Sequence, residues 1–164
     1  MNAQRTARLL LAGAILIVAS LMPVSRAIAQ MRTAHVVAAE GAQRAVAAAL
    51  AEAKKQGWNV SIAVVDNSGE LVGFLRMDNA VPGSGDISLA KARTAARLKR
   101  PTRSLDSTLT AGRIAILGLP GVTPVEGGVP IIVNGEVIGA VGVSGATSAQ
   151  DAQLAQAGAA AVQP

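Results

Sequence analysis

No cysteine and no tyrosine occurs among the 164 residues, and histidine, tryptophan and phenylalanine occur once each. The missing thiols exclude disulfides, thiol catalysis, iron-sulfur clusters and thiolate ligation of haem. They also exclude a lipoprotein attachment site, and with no adjacent pair of arginines the chain carries no twin-arginine export signal. A lone histidine cannot build a site of several imidazoles. One Trp and one Phe are too few to stack nucleic-acid bases. Long apolar runs are scarce as well: the run from Leu9 to Met22 falls short of the about 20 residues that a bilayer-spanning helix needs.

That run reads instead as the core of a secretory signal. Arg5 and Arg8 precede it, and Ala27-Ile28-Ala29 follows with the small residues signal peptidase accepts, so cleavage is expected between Ala29 and Gln30. The expectation is a signal peptide over residues 1–29 and one domain over residues 30–164, in a periplasmic or secreted protein. Arg5, Arg8 and Arg26 leave with the signal. Fifteen basic residues become twelve, against ten acidic ones, and the net charge falls from +5 to +2. The sequence pI of 10.8 therefore carries no argument for a nucleic-acid partner.

Ala34 to Gln56 is alanine-rich, with Ala42, Val46, Leu50 and Ala53 at helical spacing. It predicts a long helix with Thr33 as N-cap, His35 in the first turn and Gly57 just past the C-terminus. Val60 to Asp66 and Glu70 to Met77 form a predicted hairpin around Asp66-Asn67-Ser68-Gly69, and Trp58 before it reads as a packing anchor. Arg76, Met77 and Asp78 lead from the hairpin into a loop with Pro82, Gly83 and Gly85, a composition that lines sites at strand ends.

Asp86 opens a predicted helix that Pro101 stops, with Ile87, Ala90, Thr94 and Leu98 as its buried stripe. Lys91, Arg93, Arg97, Lys99, Arg100 and Arg103 place six of the twelve cations within thirteen positions. Such a run is either a solvated face favoured by the helix dipole or a site for carboxylates and phosphates, whose geometry guanidinium forks match. Thr102 is expected to cap a short helix through Leu109, and an apolar segment from Ile114 to Leu119 follows. Val129 to Val133 and Val137 to Val143 flank Asn134-Gly135, the dipeptide of a type I′ hairpin. The second run is nearly all Val, Ile, Ala and Gly, as in a strand covered on both faces. Ser148 and Asp151 have the spacing of a capping box and predict a helix after it.

Two catalytic readings of this last stretch fail on their chemistry, and a third, open because burial can tune a carboxylate, lacks a partner residue. Gly142-Val143-Ser144-Gly145-Ala146 approximates a nucleophile elbow, but the one base, His35, lies upstream and the final glycine is alanine. Gly139, Gly142 and Gly145 do not have the dinucleotide-binding spacing, and no P-loop lysine follows. General acid-base chemistry by Glu126, Asp78 or Asp86 lacks an identifiable second residue, so no catalytic residue is assigned.

SIAVVDNSGELVGFLRMDNA, DISLAKARTAARLKRPT and LPGVTPVEGGVPIIVNGEVIGAVGVSGATSAQDAQLAQAG, in this order, resemble the GlcG/HbpS family of small haem-binding and haem-related proteins. The family includes extracytoplasmic haem binders, proteins encoded with glycolate oxidation, and domains fused to corrinoid adenosyltransferases. The resemblance implies an α+β, profilin-like fold, an antiparallel five-stranded sheet with helices on its faces, assembled into homo-oligomers. It makes haem the first candidate ligand. The propionates would then meet Lys91, Arg93, Arg97 and Arg100, and the turn Glu126-Gly127-Gly128 would face this cationic helix. Arg76 and Met77 would lie on the strand-end loop. His35, or the thioether of Met77 or Met31, is the candidate donor to iron, and His35 is the one candidate metal ligand. The alternatives are a module for a small organic acid or a corrinoid-like ligand, and an oligomeric accessory protein acting on a membrane sensor or enzyme partner.

Overall fold

The computed structural model describes residues 33–162; the signal peptide expected over residues 1–29, and Met31, lie outside them. The first helix, α1, spans Ala39–Gln56. It starts later than its alanine pattern predicts, because Val37 is buried and its N–H donates to the Ile138 carbonyl, holding residues 34–38 out of the helix. Thr33 is therefore no cap, Ala38 is the N-cap residue, and His35 lies ahead of the helix rather than in its first turn. The C-terminus is as expected: Gly57 takes φ 73° and its N–H returns to the last turn, where Lys54 and Lys55 suit the dipole.

Strands β1 (Ser61–Asp66) and β2 (Leu71–Arg76) pair antiparallel. Between them Asp66 Oδ1 accepts from Ser68 N, Ser68 Oγ and Glu70 N, an Asx-type turn whose Ser68 and Gly69 carbonyls accept from Arg97 and Arg93. Burial pushes the Asp66 carboxyl up, but the bonds from Ser68, Glu70 and Gly69 outweigh it and hold the group below its ordinary value. Helix α2 (Ser84–Leu98) follows, then α3 (Arg103–Thr110) and a 3-10 turn over Ile114–Gly118. Strands β3 (Gly128–Val133) and β4 (Glu136–Ser144) meet at Asn134 and Gly135, with φ 50° and 78°, the turn their identities demand. Helix α4 (Ser148–Ala160) ends the fold.

The described residues form four strands, not five, in the antiparallel order β2-β1-β4-β3. The fold class is α+β as expected, with helices on both faces. On one side α1 and α4 cover Val60, Ile62, Val64, Val141 and Val143, and Trp58 packs against this cluster as an anchor. On the other, α2 covers Ala63, Val65 and Ala140. Pro130 sits in edge strand β3, where a missing N–H does least harm. β4 is buried from Val137 to Ser144, as its composition predicts. No helix among the described residues is long and apolar enough to cross a membrane.

The buried face of α2 differs from the predicted stripe. Ser84, Ser88, Lys91, Ala92, Thr94, Ala95 and Ala96 point inward, while Ile87 is 46% exposed. The cause is Gly142 on β4. A Cβ there would overlap the Ser88 carbonyl oxygen and stand 2.9 Å from Ala92 Cβ, so helix and strand meet backbone to backbone and only small residues fit. The capping box of α4 is also displaced by one residue: Thr147 Oγ1 accepts from Gln150 N, and Gln150 Oε1 from Thr147 N. Ser148 and Asp151 do not form it, since Asp151 is turned inward.

Candidate functional site

Glu126, Gly127 and Gly128 line a cavity of about 440 Å³ between the start of β3 and the first turns of α4. Pro101, Val129, Ala149 and Ala152 supply its aliphatic wall, and Arg103, Gln153 and Gln156 its polar edge. Its floor is held by backbone. Gly128 N donates to Thr102 Oγ1 at 2.9 Å, Thr102 N to the Gly128 carbonyl, and Val143 N to the Gly127 carbonyl. Gly127 takes φ 128°, and a Cβ there would stand 2.7 Å from Lys91 Nζ. The glycine pair does face the cationic helix, as its sequence position suggests, and through Lys91.

Glu126 is fixed from two directions. Its N–H donates to Asp106 Oδ2 at 2.9 Å, and its carboxylate lies 3.6 Å from Arg103 Nε. Arg103 is 75% exposed, so it stands at the rim as a cation open to a ligand. Directly behind Gly127 lies a buried ion pair. Lys91 Nζ donates to Asp151 Oδ2 at 2.8 Å and to the Val143 carbonyl at 3.1 Å, and Ala146 N donates to Asp151 Oδ1. Burial raises the Asp151 carboxyl above its ordinary value, and Lys91 and the Ala146 N–H pull it only part of the way back. One lysine thus ties α2, β4 and α4 together beneath the cavity floor.

The structure divides the cationic run. Lys91 is buried against Asp151 and meets no ligand directly. Arg93 and Arg97 lean the other way, onto the β1-β2 turn, and line a different cavity. Arg100 lines a third, of about 270 Å³, with Leu105, Arg113 and Leu119. Helical rotation separates residues that the sequence lists side by side. The one arginine of the run on the first cavity is Arg103, named in the cationic run but absent from the residues expected to hold the ligand.

The other expected residues stand apart from these walls. His35 is exposed, and its Nδ1 lies 2.7 Å from Glu136 Oε2 at the β3-β4 turn. That hydrogen bond holds the Glu136 carboxyl below its ordinary range. Arg76 Nη2 donates to the Ala80 carbonyl, and Met77 packs against the α1-side core. Ser144 is buried at the far end of β4 from Glu136, and at about 3.3 Å per residue the strand sets them some 26 Å apart. The His35-Ser144 arrangement that an elbow chemistry needs is therefore not formed. Among the described residues no three His, Asp or Glu side chains gather as a metal site.

Comparison with known proteins agrees with this architecture. The sequence profile of the family described as haem-degrading protein HbpS-like matches residues 37–160. Protein GlcG of Escherichia coli K12 is 46% identical over 114 residues, 70% of this chain and 85% of that one. A double mutant of HbpS from Streptomyces reticuli superposes with a TM-score of 0.74 at 36% identity, covering 80% of this chain and 90% of that one. PduOC, solved as a haem complex, superposes with a TM-score of 0.70 at 26% identity, over 77% and 94% of the two chains.

Proposed function

The chain belongs to the HbpS-like family, and from that premise we propose that it is an exported binding protein. Its ligand is haem or a related tetrapyrrole, held in the cavity beside Glu126, Gly127 and Gly128, and it works as a homo-oligomer. The observation that carries the proposal is the pairing of an aliphatic slot with an exposed cation at its rim. Pro101, Val129, Ala149 and Ala152 suit a flat apolar ring, and Arg103 suits a propionate. The solved haem complex of PduOC, which shares this fold, supports the choice of ligand.

The lining residues fit the ring and its carboxylates better than they fit iron. None is His, Met, Tyr or Cys, and Glu126 is the one anionic donor on the wall. Bound haem would supply a redox-active iron; the residues of this chain would hold its edge, cover one face and leave the iron without a strong protein donor from this cavity. Ile114 and Leu117, 72% and 62% exposed on the 3-10 turn, support self-association, since copies of the chain could bury them against one another.

Titration of residues 30–164 with haemin tests the reading. A saturable Soret shift with one equivalent per chain is expected, weakened by Arg103→Ala and blocked by Ala152→Phe, which fills the slot. His35→Ala should leave it unchanged, because His35 is engaged with Glu136 outside the cavity. A titration as linear as a buffer blank removes the haem reading.

A further inference from the structure

Arg93 and Arg97 lie one helical turn apart on α2, and each donates its Nε to a backbone carbonyl of the β1-β2 turn. Arg93 bonds Gly69 O at 3.0 Å and Arg97 bonds Ser68 O at 2.9 Å. Neither guanidinium meets a carboxylate in an ion pair among the described residues. A guanidinium carries five donors in a rigid fork, so anchoring Nε fixes the plane, and both side chains border one space. That space is a cavity of about 360 Å³, walled by both arginines, Asp86, Leu89 and the loop through Gly121, Val122 and Thr123.

Both walls are built rather than incidental. The arginine side rests on a turn already locked by Asp66, whose carboxylate collects three hydrogen bonds from Ser68 and Glu70. Gly69 has φ 93°, and a Cβ there would stand 2.6 Å from Arg97 Nε, so the bare turn is what lets Arg97 lie flat on it. The loop side is pinned by Thr123 N, which donates to the buried Thr94 Oγ1 at 2.9 Å. This cavity shares no lining residue with the one at Glu126.

We propose that Arg93 and Arg97 form an anion site of their own, which takes a compact dianion such as a phosphate or a small dicarboxylate through the terminal nitrogens of both forks. Asp86, further back on the same helix, shapes the selectivity. Its carboxylate repels a ligand long enough to carry negative charge along the whole cavity, so a compact dianion is favoured over an extended polyanion. The site is independent of the tetrapyrrole reading and stands whether or not the other cavity binds haem.

The test is calorimetry on residues 30–164 with inorganic phosphate, malonate and tripolyphosphate, each against sodium chloride at matched ionic strength. Saturable binding of phosphate or malonate is expected, and which of the two binds more tightly identifies the source of the dianion. Tripolyphosphate should bind more weakly than either. Arg93→Gln with Arg97→Gln should weaken the affinity by about tenfold or more, the loss expected when charge-assisted forks are removed. Arg97→Lys keeps the charge and loses the fork, so it should also bind more weakly. Gly69→Ala should do the same by displacing Arg97 with no change of charge. Thermal melts without ligand show whether each variant is folded, and Arg97→Lys decides the matter where the double variant is not. Binding no better than chloride overturns the proposal, as does an Arg97→Lys variant with wild-type affinity.

Discussion

Replacing Asp151 by Asn would leave Lys91 in a space where its side chain is 2% exposed, without a counterion and with only neutral oxygens, the Val143 carbonyl among them, to accept from it. Breaking a buried ion pair from one side costs about 3–5 kcal/mol, because the surviving charge has lost its counterion but not its burial. Proton release sets a ceiling. A lone buried ammonium sheds its proton rather than stay charged, and at about 1.36 kcal/mol per unit from an ordinary lysine value of about 10.4 down to pH 7, that costs about 4.6 kcal/mol. Lys91→Met is the mirror case: Asp151 takes up a proton, and from 3.8 up to pH 7 the same arithmetic gives about 4.4 kcal/mol. For a domain of this size either loss lowers the thermal midpoint by about 10–20 °C. The pH dependence distinguishes this account from loss of packing. In Asp151→Asn the native state binds fewer protons than the unfolded chain, so stability is regained as pH rises from 7 to 9. In Lys91→Met the native state binds more, so stability is regained as pH falls from 7 to 5. The double variant Lys91→Met with Asp151→Leu should cost much less than the two singles together, leaving chiefly the unpaired Ala146 N–H, about 1–3 kcal/mol. Urea melts of all three across this pH range are the assay. A single variant that costs under about 1 kcal/mol at pH 7, or the two singles sloping the same way with pH, would refute the reasoning.

Two further outcomes test the packing and the turn. Gly142→Ala forces a methyl group into the Ser88 carbonyl, where neither backbone can yield, and should cost about 3 kcal/mol or more in denaturant melts. Gly118→Ala meets nothing within 4 Å and should be near neutral, so equal costs would contradict the packing of α2 on β4. In carboxyl-carbon NMR titrations Asp66 should titrate below 3.8 and Asp151 above it. The depressed Asp66 adds stability that is present above its unfolded value and is lost as pH falls through its folded one. The raised Asp151 works with the opposite sign, its contribution being lost as pH rises through its folded value. Midpoints that coincide would show that the turn bonds and the burial do not act as described.

What could be read from the residues was whatever a backbone dihedral or a local bond dictates. Asn134-Gly135 announces its turn because both residues must take positive φ, and Gly57 marks the end of α1 for the same reason. The start of α1 was hidden, because the bond from Val37 to Ile138 joins residues about a hundred positions apart. The partner of Lys91 was hidden likewise, sixty positions away on another helix. The buried face of α2 is more instructive, since of the expected stripe only Thr94 is fully buried. Where the covered strand carries Gly142, the helix approaches until Ser88 and Ala92 meet the strand backbone, and Ile87 is left outside. Ser84, Ser88, Lys91 and Ala95 then fall on the inward face, and Lys91, on a face of small residues, must go in with them. Arg93 and Arg97, about 200° and 240° further round at about 100° per residue, must point elsewhere. The close approach at Gly142 thereby divides the cationic run: it draws Lys91 under the floor of one cavity and turns Arg93 and Arg97 toward another.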